Sequence, residues 1–132
     1  MSDIERVREF FSRDVFATSA TGIEIDEIGD KWAKCLLKLD ARHKNAANQV
    51  MGGAIFTIAD FTFAVATNRP EYTSVTVTTS SNISFIGTVK GDMLVAETKL
   101  LKDGKRSCFY EIEVKDEFGN LVATVNTVGT HL

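Results

Sequence analysis

Apolar and polar residues follow two rhythms along this chain. Residues 2 to about 16 repeat with a helical period, with Ile4, Val7, Phe10 and Phe11 on one face and Ser2 and Glu5 spaced as a capping box. Two stretches of period two follow, at roughly 22–28 and 31–40, joined at Gly29-Asp30. In the second, Ala33, Cys35, Leu37 and Leu39 alternate with Lys34 and Lys38, the mark of a strand with one buried face. Residues 41–51 are a polar loop. From about Gly52 to Asn68 the chain is apolar almost all round, which predicts a helix covered on most sides, ended by the only proline, Pro70. Four more strands are predicted near 73–86, 92–102, 106–116 and 120–130. They are interrupted by residues 87–92, Asp103-Gly104 and Phe118-Gly119-Asn120. The order α-β-β-α-β-β-β-β predicts an α+β domain spanning 1–132, a curved antiparallel sheet wrapped around one long helix.

Composition narrows the function classes. A chain of 132 residues with 44% hydrophobic and 25% charged residues is ordinary globular material. The net charge of −3 argues against a nucleic-acid binder, which normally carries a basic patch. Ala54 to Thr67 is too short to span a bilayer, and the first residues lack a signal-peptide core, so a soluble cytoplasmic protein without membrane partners is expected. Cys35 and Cys108 sit within alternating runs and read as buried free thiols. With only His43 and His131 and no paired cysteines, no metal site is expected.

One residue breaks the apolar helix. Asp60 stands among Phe56, Phe61 and Phe63, and an unpaired carboxylate is costly to bury. Either it lies on a polar stripe or partnered to a neighbour, or it is there for chemistry, since apolar surroundings make a carboxylate a stronger base or nucleophile. The pair Gly52-Gly53 heads the same helix. It can serve close packing alone, or it can bring a substrate carbonyl to unsatisfied N–H groups at the positive end of the helix dipole. Asp60 lies eight residues after Gly52, about 12 Å along the axis. One chain therefore does not easily aim both groups at one carbonyl, which favours a site assembled across a symmetric dimer.

The segment HKNAANQVMGGAIFTIADFTFAVATN resembles the signature of hotdog-fold acyl-CoA thioesterases of the phenylacetate-degradation (PaaI-like) type. His43 and Asn45 match its His-x-Asn, Gly52 and Gly53 its glycine pair, and Asp60 its acid. The closing strands, with Gly91-Asp92 and Gly119 at turns, are similar as well. Two positions depart from the pattern: Met51 stands where many members carry histidine, and Asn48 where glycine is common.

The resemblance implies hydrolysis of acyl-CoA, with Asp60 as base or nucleophile and the Gly52 N–H, beside Gly53, as oxyanion donor from the other subunit. It further implies that Asn45 orients water or thioester, that Thr78 assists the acid, and that the protein is a homodimer or homotetramer. No cofactor is implied beyond coenzyme A as part of the substrate. His43 reads as a surface loop residue without a proton-transfer role. Met51, Phe56 and Phe63 are candidate walls for an aryl or medium-chain acyl group. Lys90, Lys102, Lys105 and Arg106 are candidate contacts for the phosphates of coenzyme A. Two alternatives stand beside this reading: an acyl-CoA binding or sensing protein, which Met51 favours, and a purely structural dimerisation domain.

Overall fold

The computed structural model describes residues 1–132, with helices α1 (Asp3–Phe11) and α2 (Gly52–Thr67) and strands β1 (Glu24–Gly29), β2 (Trp32–Lys38), β3 (Thr76–Phe85), β4 (Met93–Asp103), β5 (Ser107–Asp116) and β6 (Leu121–His131). All six strands form one antiparallel sheet in the order β1-β2-β4-β5-β6-β3. The helix α2 packs on its concave face, which is the hotdog arrangement the sequence predicts.

The expected capping box opens α1, with Ser2 Oγ accepting from the Glu5 N–H and Glu5 Oε2 from the Ser2 N–H. Val7 and Phe11 supply its buried face. The helix stops at Phe11 rather than near residue 16. Both the N–H and the hydroxyl of Ser12 turn back to the Glu9 carbonyl, and Phe16–Thr21 form a separate, wider π-turn. Gly22, at φ 91°, closes that turn by donating to the carbonyl of Ala17. Val15 and Phe16 prolong the apolar rhythm of α1 in the sequence, but both are largely exposed.

The core follows the predicted periods. Ala33, Cys35 and Leu37 of β2, Leu94 and Ala96 of β4, and Cys108, Tyr110, Ile112 and Val114 of β5 all face α2 and are inaccessible to solvent. Each large side chain so placed contributes about 1.5–3 kcal/mol. Two threonines inside α2, Thr62 and Thr67, return their hydroxyls to the carbonyls of Ile58 and Phe63, at 2.6 and 2.8 Å, so neither is an unpaired buried donor. Close approach of α2 to β6 depends on Gly129. A Cβ there would lie 2.7 Å from Phe63 Cζ and 2.9 Å from Cys108 Sγ.

Strand β3 is different. It is terminal in the sheet, only Thr76 of its ten residues is buried, and TVTTSSNISF carries no charge and no proline. Its outer edge thus lacks the charges and proline that commonly block strand addition, and its one irregularity is a bulge after Thr78. No helix is long and apolar enough to cross a membrane.

Candidate active site

The start of α2 presents two free donors. Met51 is the N-cap residue in extended conformation, and its carbonyl accepts from both the Ala54 and Ile55 N–H groups, at 3.0 and 3.3 Å. No loop carbonyl or side chain takes the N–H groups of Gly52 and Gly53. They stand at the positive end of a 16-residue helix. Packing explains the first glycine only: a Cβ on Gly52 would come 3.0 Å from the ring of Phe85, whereas one on Gly53 would meet nothing within 4 Å. A groove of about 370 Å³ runs beside Gly52 between Val50, Ile55, Phe85 and Val89.

The loop before the helix is tightly tied. Asn45 Oδ1 accepts from the Ala47 and Gln49 N–H groups, at 2.9 and 3.0 Å, which leaves its amide nitrogen exposed and free. Asn48 adopts a left-handed φ of 59°, which asparagine tolerates and glycine would take without cost, so its place in the pattern has a backbone reason. His43 corrects the surface expectation: it is only 3% exposed. Its Nδ1 accepts from the Asp40 N–H at 3.0 Å, so Nε2 carries the proton and donates to the Thr21 carbonyl at 2.7 Å. Its own carbonyl takes the Met51 N–H at 2.8 Å. His43 therefore anchors the entry to α2, and with both ring nitrogens engaged it has no free site for proton transfer.

Asp60 is half-buried on the face of α2 that looks toward β3. The hydroxyl of Thr78 donates to its Oδ1 at 2.9 Å. This bond puts Thr78, assigned from the resemblance, in direct contact with the acid. A bulge adjoins the contact: β3 is in register with β6 through Thr78↔Gly129 and resumes at Ser80↔Val128, leaving Thr79 as an extra residue. Bulges of this kind re-aim side chains beside active sites. Asp60 Oδ2 has no donor within the chain and remains available.

The remaining positions divide. Met51 is 46% exposed beside the free N–H groups, and Phe56 is half-buried. Phe63 is core rather than pocket wall: it is 1% exposed, with its ring edge-on to Tyr110 at 5.3 Å. Lys102, Lys105 and Arg106 cluster at the β4–β5 turn, but Lys90 lies at the other end of β4. There the Lys90 N–H donates to Asp116 Oδ2 at 2.9 Å. Burial alone would raise the Asp116 carboxyl, but Asn120 Nδ2 and the N–H groups of Lys90, Asn120 and Phe118 outweigh it and hold the pKa at about 2. Burial pushes the Cys35 thiol up to about 12, so it is a packing residue. No group of three or more His, Cys, Asp or Glu is arranged to hold a metal ion.

Sequence reasoning missed a polar chain at the far end of α2. Thr76 Oγ1 bonds His131 Nδ1 at 2.7 Å, His131 Nε2 bonds Asp103 Oδ1 at 2.8 Å, and Lys31 Nζ meets Asp103 Oδ2 at 2.6 Å. Its members are 28 to 72 residues apart in sequence, beyond the reach of any local pattern.

Comparison with known proteins agrees with the fold. The family model described as Thioesterase superfamily matches residues 47–123, which include Gly52, Gly53, Asp60 and Thr78. The chain belongs to this superfamily; it is a hotdog thioesterase of the PaaI type, a thioester hydrolase. It is 31% identical to a putative esterase of Archaeoglobus fulgidus over 121 residues, 91% of this chain and 77% of that one. It is 29% identical to the acyl-coenzyme A thioesterase PaaI of Escherichia coli over 105 residues, 79% of this chain and 74% of that one. The structure of the E. coli PaaI protein superposes with a TM-score of 0.85 at 23% identity, covering 99% of this chain and 96% of the other. A hypothetical thioesterase protein of Streptococcus pneumoniae, solved with coenzyme A, superposes with a TM-score of 0.81 at 18% identity, covering 92% of this chain and 96% of the other.

Proposed function

We propose that this protein hydrolyses aryl- or medium-chain acyl-CoA thioesters as a two-fold dimer, with each site built from Asp60 of one copy and the Gly52 N–H of the other. The observation that carries this reading is the placement of the two half-sites along one unpaired edge. Thr78 touches Asp60 near one end of β3, and Phe85 touches Gly52 near the other. They lie seven residues, about 20 Å, apart. Antiparallel pairing of β3 with a second β3 about an axis near Ser81 and Asn82 sets Thr78 of one copy opposite Phe85 of the other. Each Asp60 then faces the other copy's helix start. The same axis brings Lys90 of one copy toward Lys102, Lys105 and Arg106 of the other, which would reunite the phosphate contacts that one chain keeps apart.

In this arrangement the Gly52 N–H, with Gly53 beside it, receives the carbonyl oxygen as it becomes negative, an interaction worth roughly 3 kcal/mol. Thr78 holds Asp60 Oδ1, and Oδ2 takes a proton from the water that attacks the carbonyl carbon, or itself attacks to give an anhydride. The C–S bond breaks, and on the water route Asp60 returns its proton to the coenzyme A sulfur, which leaves as the thiol. On the anhydride route solvent protonates the sulfur, and a water then hydrolyses the anhydride to the free acid and Asp60. Asn45, through its free amide nitrogen, orients the water or the thioester. No cofactor enters these steps. The acyl-coenzyme A named for the E. coli relative supports the substrate class, and the resemblance supports a tetramer of two such dimers in the cytoplasm.

The test is thiol release by the wild type and Asp60→Asn across aryl- and alkyl-CoA esters, with mass measured by light scattering. Turnover that collapses in the variant of a dimeric or tetrameric protein supports the reading; turnover unchanged in Asp60→Asn refutes it. Exposed Met51, in the position of the family's usual histidine, favours a second reading as an acyl-CoA binding protein. Saturable binding without turnover in the wild type would establish that one.

A further inference from the structure

The last turn of α2 contains a residue to which nothing so far gives a role. Asn68 is the C-cap, and its N–H donates to the Ala64 carbonyl at 2.8 Å. Its side chain grips the backbone of Thr76 from both directions. Oδ1 accepts from the Thr76 N–H at 2.8 Å, and Nδ2 donates to the Thr76 carbonyl at 2.8 Å. The amide thereby does for the first residue of β3 what a neighbouring strand would do. The hydroxyl of Thr76 is held as well: it hydrogen-bonds His131 Nδ1, His131 Nε2 bonds Asp103, and Lys31 neutralises Asp103. A polar cavity of about 400 Å³ adjoins this cluster, but Asp103, His131 and Thr76 satisfy one another, so they point to a latch and not to a ligand.

Thr78 lies two residues beyond Thr76 and so shares its side of the strand. Immediately after Thr78 the ladder is interrupted by the bulge at Thr79, so β6 holds this segment less firmly on that side. The contacts close a ring. Asp60 and Asn68 are joined through two turns of α2, Asn68 grips Thr76, and Thr78 returns to Asp60 at 2.9 Å.

We propose that Asn68 is a positioning residue for the catalytic acid, acting through Thr76 to hold the Thr78 hydroxyl on Asp60. This rests on the thioesterase reading for its kinetic consequence only. Loss of the clamp lets the start of β3 slide against α2. The Thr78 hydroxyl then leaves Asp60, and Oδ2 loses its fixed aim, while the substrate-contacting surfaces at the start of α2 stay in place.

The experiment is a double-mutant cycle of Asn68→Ala with Thr78→Val, reading kcat, KM and thermal stability, together with the ¹³C resonance of the Asp60 carboxyl. Alone, Asn68→Ala lowers kcat about fivefold with KM nearly constant. In the Thr78→Val background it lowers kcat little further, because the path through Thr78 is already cut. The carboxyl resonance moves in Asn68→Ala and not again in the double variant. Asn68→Asp, which keeps the acceptor for the Thr76 N–H and loses the donor, gives an intermediate loss and serves if the alanine variant does not fold. The same fold-loss in both backgrounds, or an unchanged kcat in a folded single variant, overturns the proposal. A wild type without turnover refutes the thioesterase reading alone, since the carboxyl resonance still decides whether Asn68 positions Asp60.

Discussion

Gly53→Ala separates what the helix start does for stability from what it does for chemistry. A Cβ at Gly53 meets no atom within 4 Å, so the substitution causes no clash in the chain itself. The residue is the second of α2 and exposed. Alanine restricts the unfolded chain and suits the helix better, a combined gain of about 0.5–1 kcal/mol. For 132 residues the unfolding entropy is about 0.28 kcal/mol/K, so the melting temperature should rise by about 2–4 °C. Activity should move the other way. If the acyl carbonyl approaches the N–H groups of Gly52 and Gly53, the new methyl occupies space the substrate needs, and kcat/KM should fall by about tenfold or more, as a misplacement near 1 Å does. Thermal unfolding and thiol release on one preparation measure both effects. A variant that is more stable and fully active would refute the assignment, because the open space at Gly53 would then have no part in receiving the thioester.

Other consequences follow from single contacts. Thr78→Val removes the hydroxyl from Asp60 Oδ1 and should lower kcat about tenfold with a normal circular dichroism spectrum, the worth of a hydrogen bond to a carboxylate. Gly129→Ala drives a methyl into Phe63, Cys108 and Thr76, and urea titration should register a loss of about 1–3 kcal/mol. Asp116 titrates near 2 when folded, below the ordinary aspartate value of 3.8. Its stabilising contribution is therefore complete above about pH 4 and disappears as pH falls toward 2. The stability gap between wild type and Asp116→Asn should narrow across that window, and a gap constant from pH 6 to pH 2 would contradict the hydrogen-bond account.

Much of the fold was legible because its signals are local. The capping box of Ser2 and Glu5, the period-two run from Cys108 to Val114 and the all-round apolarity of α2 each mark an element within a dozen residues. The same locality misled at Val15 and Phe16, which prolong the rhythm of α1 but belong to a solvent-facing π-turn closed by Gly22. His43 read as surface because its neighbours are polar; its burial depends on the Thr21 carbonyl, 22 residues away. Gly52, Gly53 and Asp60 were visible as exceptions to their surroundings. Asn68 and His131 were not, since an asparagine after a helix and a histidine in a strand are unremarkable until β3 is laid against them.

The central claim is that each site draws Asp60 from one chain and its oxyanion donor from another. Gly52→Pro removes that donor at the first helical position, where the backbone tolerates proline, and the exposed ring of Phe85, 3.0 Å from the new Cβ, has only to shift slightly. Met51 before it already has the extended conformation, ψ 135°, that a following proline demands. Asp60→Asn and Gly52→Pro chains, each inactive alone, should be coexpressed and assayed for thiol release. A cross-chain site leaves one intact centre in every mixed dimer, so about a quarter of wild-type activity should return. No activity in verified mixed dimers would place Asp60 and Gly52 of the same chain in one site and contradict the account.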